Sequence, residues 1–143
     1  MIIISHRGNI NGEKKEENSP LLLDKVLKTG YNIEIDVWKT SKGIFLGHDM
    51  PQYQVTKNFI DNNKFWCHAK NLQALEFMLD NNIHCFWHQK DDFTITSQGF
   101  IWTYPGKPVC KNSIIVCQTP AETQYYSNLK IAGICSDYVG IIK

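Results

Sequence analysis

Glu34 and Asp36 lie two residues apart in the run Asn32 to Trp38, whose branched and aromatic residues mark a strand. Side chains alternate across a strand, so the two carboxylates project together from one face while Ile33, Ile35 and Val37 project from the other. Like charges held side by side are costly to bury unless a cation or basic group neutralises them, and a bound divalent metal is the economical answer. The alternative is an exposed strand end, or pairing with Arg7 or Lys70. His6 ends the apolar run that begins at Ile2, and His48 follows the short run Ile44 to Gly47, with Asp49 beside it either orienting the ring or capping a turn. Each histidine alone is more often structural than catalytic. Two of them beside a carboxylate pair suit phosphoryl chemistry, one taking a proton from the nucleophile and the other giving one to the leaving oxygen.

Trp66, His68 and Lys70 share a face of a further strand. His68 reads as a metal ligand or a hydrogen-bonded core histidine, and Lys70 as a cation for phosphate charge or a solvated strand end. His88, ending the next strand, is a weaker candidate for a supporting role, and His84 is expected in a loop. Trp38, Trp102 and Tyr104 either wall the mouth of a pocket or pack its rim. The run Lys14-Lys15-Glu16-Glu17 reads as a solvated loop.

The elements that must position these residues are short apolar runs separated by turn signals: Ile2 to Ser5, Asn32 to Trp38, Lys64 to Ala69, His84 to His88, Gly99 to Tyr104, Ser113 to Cys117 and Ile131 to Ser136. Ser19 as N-cap, Pro20 in the first turn, the stripe Leu22, Leu23, Val26, Leu27 and a stop at Gly30 predict one helix. Asn71 predicts the start of a second, with Leu72, Leu75, Met78 and Leu79 facing the core and Asn81-Asn82 ending it. A third, weaker helix is expected from Pro120 towards Leu129. The segment from Phe93 to Trp102 reads as a hairpin. Strand, helix, strand with near-continuous apolar strands implies parallel pairing and a βα architecture.

Taken in order, His6-Arg7-Gly8, Glu17-Asn18-Ser19 before a helix, Glu34-Ile35-Asp36 and His48-Asp49 resemble the glycerophosphodiester phosphodiesterase family. Cys67-His68-Ala69-Lys70 sits where that family has a strand ending in Glu-x-Lys, and Gly133 to Asp137 is similar to its closing strand. The resemblance covers the first half well and the second half loosely. It implies a TIM-type barrel, one divalent cation on Glu34 and Asp36, His6 and His48 as the acid/base pair, Arg7 and Lys70 on phosphate oxygens, and Glu17 and Asn18 shaping the site beside them. The same core pattern is similar to that of phosphatidylinositol-specific phospholipases and sphingomyelinase D, so it does not choose the substrate.

Two departures stand out. His68 replaces the family's third metal-binding carboxylate, which shifts the expected cation from magnesium or calcium towards manganese or zinc. At 143 residues the chain is also far shorter than the about 250 typical of a TIM barrel. A reduced α/β barrel is therefore expected, a single domain over residues 1–143, with shortened or missing helices in the second half. The stretch Met50 to Asn63 is a much reduced capping insertion, which leaves an open pocket.

A formal net charge of +1 with mixed acidic and basic residues gives no electrostatic footprint for nucleic acid. No apolar run approaches the about 20 residues that span a bilayer. Five cysteines without a CxxC pair read as reduced and largely structural, which favours a cytoplasmic protein. The expected activity is metal-dependent hydrolysis of a small phosphodiester or a phospholipid-derived head group, within lipid metabolism. Two alternatives are a non-catalytic module that keeps the phosphate pocket, and a relic scaffold that completes its barrel as a homodimer.

Overall fold

In the computed structural model, which describes residues 1–142, the chain runs β1 (Ile2–His6), α1 (Pro20–Leu27), β2 (Asn32–Thr40), β3 (Gly43–Leu46), β4 (Tyr53–Val55), α2 (Lys57–Ile60), β5 (Phe65–Ala69), α3 (Leu72–Asp80), β6 (Cys85–Phe86), β7 (Phe93–Ile95), β8 (Ile101–Thr103), β9 (Ser113–Cys117), α4 (Pro120–Tyr126), β10 (Gly133–Ser136) and a 3-10 turn at Val139–Ile141. All the strands expected from sequence form, as do the three helices. Ser19 Oγ accepts from the Leu22 N–H and Asn71 Oδ1 from the Ala74 N–H, so both expected N-caps are made. Thr119 caps α4 in the same way, and that helix stops at Tyr126 rather than at Leu129.

The parallel strands follow the order β6-β5-β2-β1-β10-β9-β8, with an antiparallel β3–β4 hairpin beside β2 and an antiparallel β7–β8 hairpin at the other end. The protein is thus a mixed α/β fold built on one curled sheet. Its inner face packs Ile4, Trp66, Phe86, Trp102, Ile114 and Cys135 against one another. The outer face of β2 and β5, through Ile33, Ile35, Val37 and Cys67, buries α1 and α3 by way of Leu23, Val26, Ala74 and Met78. Burying each of the larger apolar side chains here contributes about 1.5–3 kcal/mol. A separate cluster, Ile115, Cys117 and Ile134, lies on the side of β9 and β10 that α4 covers.

The expectation of a barrel is met only in part. Parallel pairing stops at β6 on one side and β8 on the other, and the two strands do not share a ladder. Between them the Ser97 N–H donates to the Cys85 carbonyl at 2.8 Å, Ser97 Oγ accepts from the Cys85 N–H, and Phe86 stacks on Trp102 with centroids 4.2 Å apart. A loop and two aromatic rings thus occupy the place of a further strand pair. Among the described residues no helix follows β6 or β8, so the second half keeps α4 but lacks the helices that would follow those two strands. All five cysteines are free; Cys110 is exposed and the other four are buried. Among the described residues no helix is long and apolar enough to cross a membrane.

Two glycines matter to the site. Gly8, at φ +89°, lets the turn after β1 approach α1, where a Cβ would come within 3.1 Å of Leu23. Gly47, at φ +156°, opens the turn that carries His48, and a Cβ there would overlap the Met50 carbonyl oxygen.

Candidate functional site

The parity of the strands brings the polar residues to one end of the curl, at the C-terminal ends of parallel strands, where βα folds place their sites. Glu34 stands level with His6 on β1, and Asp36 level with His68 on β5. Both carboxylates are almost completely buried. A cleft of about 390 Å³ opens above them, lined among others by His6, Arg7, Glu34, His48, His68 and Lys70.

Glu34, Asp36 and His68 each offer a ligand atom within 4.8 Å of the others. His68 Nδ1 lies 3.5 Å from Glu34 Oε1 and 3.3 Å from Asp36 Oδ1. Its Nε2 is 2.8 Å from the backbone carbonyl of His88. A carbonyl only accepts, so Nε2 carries the hydrogen and Nδ1 is the atom presented to the carboxylates. Burial opposes charge on this imidazole, but the two carboxylates outweigh it and raise its pKa to about 9. The carboxylates thus favour the protonated ring when the site is empty, and the neutral ring turns its Nδ1 lone pair towards them.

Asp36 is the most heavily supported group. Asn18 donates from Nδ2 to Oδ2 at 2.9 Å and accepts from the Asp36 N–H at 3.0 Å. Arg7 Nε lies 3.1 Å from Oδ2 and Lys70 Nζ 3.9 Å from Oδ1. Burial alone would raise its pKa; His68, Arg7 and Asn18 overcome that and hold it below the ordinary carboxylate value. Arg7 (φ 55°) and Asn18 (φ 64°) both adopt the left-handed conformation, uncommon without glycine and concentrated at functional sites. The Asn18 N–H donates to the Arg7 carbonyl, and the Arg7 N–H to the Glu34 carbonyl, which clamps both loops to β2.

Even so, Glu34 Oε2 and Asp36 Oδ1 are buried without an aligned hydrogen-bond donor, and Arg7 Nε without an aligned acceptor. Orphaned carboxylate oxygens beside an imidazole nitrogen fit a divalent cation, a mixed oxygen and nitrogen set that suits manganese or zinc as readily as magnesium. The alternative pairing expected from sequence is also present: Arg7 and Lys70 lie beside Asp36 and supply part of the neutralising charge.

The two expected acid/base histidines share one design. His6 Nδ1 is 3.0 Å from Asp137 Oδ1, and His48 Nδ1 is 2.8 Å from Asp49 Oδ1. Each ring has its Nδ1 tied to a carboxylate, which leaves Nε2 for chemistry; that of His6 is 3.7 Å from Glu34 Oε2. Burial lowers the His6 pKa, but Asp137 and Glu34 reverse this and raise it, while Asp137 is itself held low by His6. His48 stands at the mouth, its side chain 41% exposed. Trp38 does not line the cleft: its Nε1 donates to the Gly47 carbonyl at 2.6 Å and braces the His48 turn. Trp102 and Tyr104 do line it.

Glu17 accepts from Arg7 Nη1 and from Asn9 Nδ2, both at 3.1 Å, so it shapes the site by holding Arg7. His88 lines the cleft with Nδ1 3.0 Å from Asp91 Oδ2, a third imidazole–carboxylate pair. His84 lies just before β6 and is buried, hydrogen-bonded to Thr96 Oγ1 and packed 4.3 Å from the Trp66 ring centroid.

Sequence reasoning left out Asp137, Asn9 and Asp91. Asp137 shares parity with Gly133 and the inward Cys135 and ends a parallel strand, so the alternation that singled out Glu34 and Asp36 could have found it. Asn9, fully buried, links Asp137 to Glu17 across a loop, and no periodicity marks such a residue. No protein-family model, curated protein or solved structure matches this chain, and its chemistry has to be inferred from the arrangement of its own side chains.

Proposed function

We propose that this protein is a metal-dependent phosphodiester hydrolase similar to the glycerophosphodiester phosphodiesterases. The observation that carries the reading is the pair of imidazoles, His6 with Asp137 and His48 with Asp49, lining one cleft with the Glu34, Asp36 and His68 cluster. A divalent cation on that cluster would polarise a phosphoryl oxygen and offset the charge that grows on it. Arg7 and Lys70, beside Asp36, hold the remaining phosphate oxygens. One imidazole Nε2 takes the proton from the attacking hydroxyl, either water or a neighbouring hydroxyl of a glycerol diester. The other gives a proton to the leaving oxygen. A phosphorus–oxygen bond forms to the nucleophile as the bond to the departing alcohol breaks, with no change of oxidation state. Attack by a neighbouring hydroxyl yields a cyclic phosphate, which water then opens. Asp137 and Asp49 hold each Nδ1–H, so that the ring acting as base presents a free Nε2, while the ring acting as acid is the imidazolium that its carboxylate stabilises.

The test is release of alcohol from a panel of glycerophosphodiesters with added magnesium, calcium, manganese or zinc. His6→Ala and His48→Ala are each expected to reduce turnover by about 10²–10⁴-fold. Wild type and His6→Ala equally inactive with every diester and metal would sink the enzyme reading. One contact favours a second reading, a non-catalytic phosphate-ester module: Arg7 at 3.1 Å from Asp36 already supplies compensating charge. That module binds phosphate esters without turnover and retains them in His48→Ala.

A further inference from the structure

His48 borders two cavities. On one side is the cleft already described; on the other is a groove of similar size, about 390 Å³, lined by Lys14, Lys15, Glu17, Asp49, Met50 and Gln52 together with His48. The carboxylates in this groove are already engaged, Glu17 by Arg7 and Asn9, and Asp49 by His48. The lysines are not: among the described residues neither Lys14 nor Lys15 forms an ion pair. Their ends are exposed, but the loop that carries them is anchored, because the Lys14 N–H donates to the buried Asn9 Oδ1 and the Asn18 N–H to the Arg7 carbonyl. Two lysines that make no ion pair, an amide and a thioether therefore border the second acid/base histidine, the lysines on a loop whose backbone is anchored.

A phosphodiester has two alcohol halves. With phosphorus held between Arg7, Lys70 and the two imidazoles, the cleft wall of Trp87, Trp102 and Tyr104 takes one half, and the groove beyond His48 is where the other can extend. From this juxtaposition, and resting on the hydrolase reading above, we infer that the groove is a subsite for an anionic alcohol half. The substrate class is then a phosphodiester with a second negative group, a phosphomonoester or a carboxylate, on the alcohol that lies past His48. Gln52 offers that group a hydrogen-bond donor, and Met50, 64% exposed, covers the carbon chain between the two charges.

The experiment compares two soluble diesters, glycerophosphoglycerol and the same compound bearing a terminal phosphate, on wild type and on the Lys14→Gln/Lys15→Gln double variant. Both kcat/KM and, by calorimetry, Kd are measured at low and at 0.5 M salt. Exposed charge pairs are each worth a few-fold, so the phosphate-bearing diester is expected to be favoured about five- to thirtyfold. That preference should fall towards parity in the double variant and at high salt, where exposed charges are screened. Equal Kd and kcat/KM for the two diesters, or a preference that survives the loss of both lysines, overturns the subsite. Absence of turnover with both diesters instead counts against the hydrolase reading alone, because the ratio of Kd values still decides the subsite.

Discussion

At the scale of single residues, the decisive property of this site is that most of its imidazoles have one nitrogen committed. His6, His48 and His88 each give Nδ1 to a carboxylate, and His68 gives Nε2 to a backbone carbonyl. His84 behaves differently, because burial without a charged partner lowers its pKa to about 4. The folded state therefore prefers the neutral ring, while the unfolded chain protonates near 6.5. Its contribution to stability is complete above pH 6.5 and is lost as pH falls from 6.5 through about 4, where the folded protein also takes the proton. The loss amounts to up to about 3 kcal/mol. Urea unfolding at pH 7 and pH 4 should show this acid sensitivity in wild type and a smaller one in His84→Gln. The same pH dependence in both would contradict the assignment.

At the scale of elements, the loop that follows β6 positions His68, the third member of the group that could hold a metal ion. Asp91 accepts from His88 Nδ1 at 3.0 Å and from the Gln89 N–H at 3.3 Å, which fixes the turn whose His88 carbonyl holds His68 Nε2. Groups that orient a metal ligand through its other nitrogen typically contribute about 10–100-fold in affinity. Asp91→Ala should therefore weaken manganese or zinc binding by about that factor in a calorimetric titration, with far-ultraviolet circular dichroism unchanged. Unchanged affinity would show that the loop leaves His68 unaffected. This contact also shows where sequence stops being informative. Alternation along β2 and β5 put Glu34, Asp36 and His68 on one face because parity is a local property of a strand. The Asp91 turn, and the Asn9 bridge between Glu17 and Asp137, depend on loops brought together by the whole fold. The α2 turn and the β4 strand were likewise unmarked, since Met50 to Asn63 has few apolar residues in any regular spacing.

At the scale of the whole molecule, a βα architecture was legible from apolar strands alternating with capped helices, and so was the thinning of helices in the second half, where α4 alone remains among the described residues. Closure was not. Whether β6 meets β8 depends on how Ser97, Phe86 and Trp102 fill the space between them, a matter of side-chain packing that neither periodicity nor turn signals mark. The curl still suffices for a site, because β1, β2, β5 and β10 are contiguous and deliver His6, Glu34, Asp36, His68 and Asp137 to one end. The proposed activity requires this end to hold a divalent cation in contact with Glu34 and His68. Its most direct test is a manganese titration of the full chain followed by electron paramagnetic resonance. One saturable ion per chain is expected, weakened at least about tenfold in Glu34→Gln and in His68→Ala, since each removes a donor whose partners remain buried. Absence of saturable binding, or an affinity indifferent to both substitutions, would contradict it.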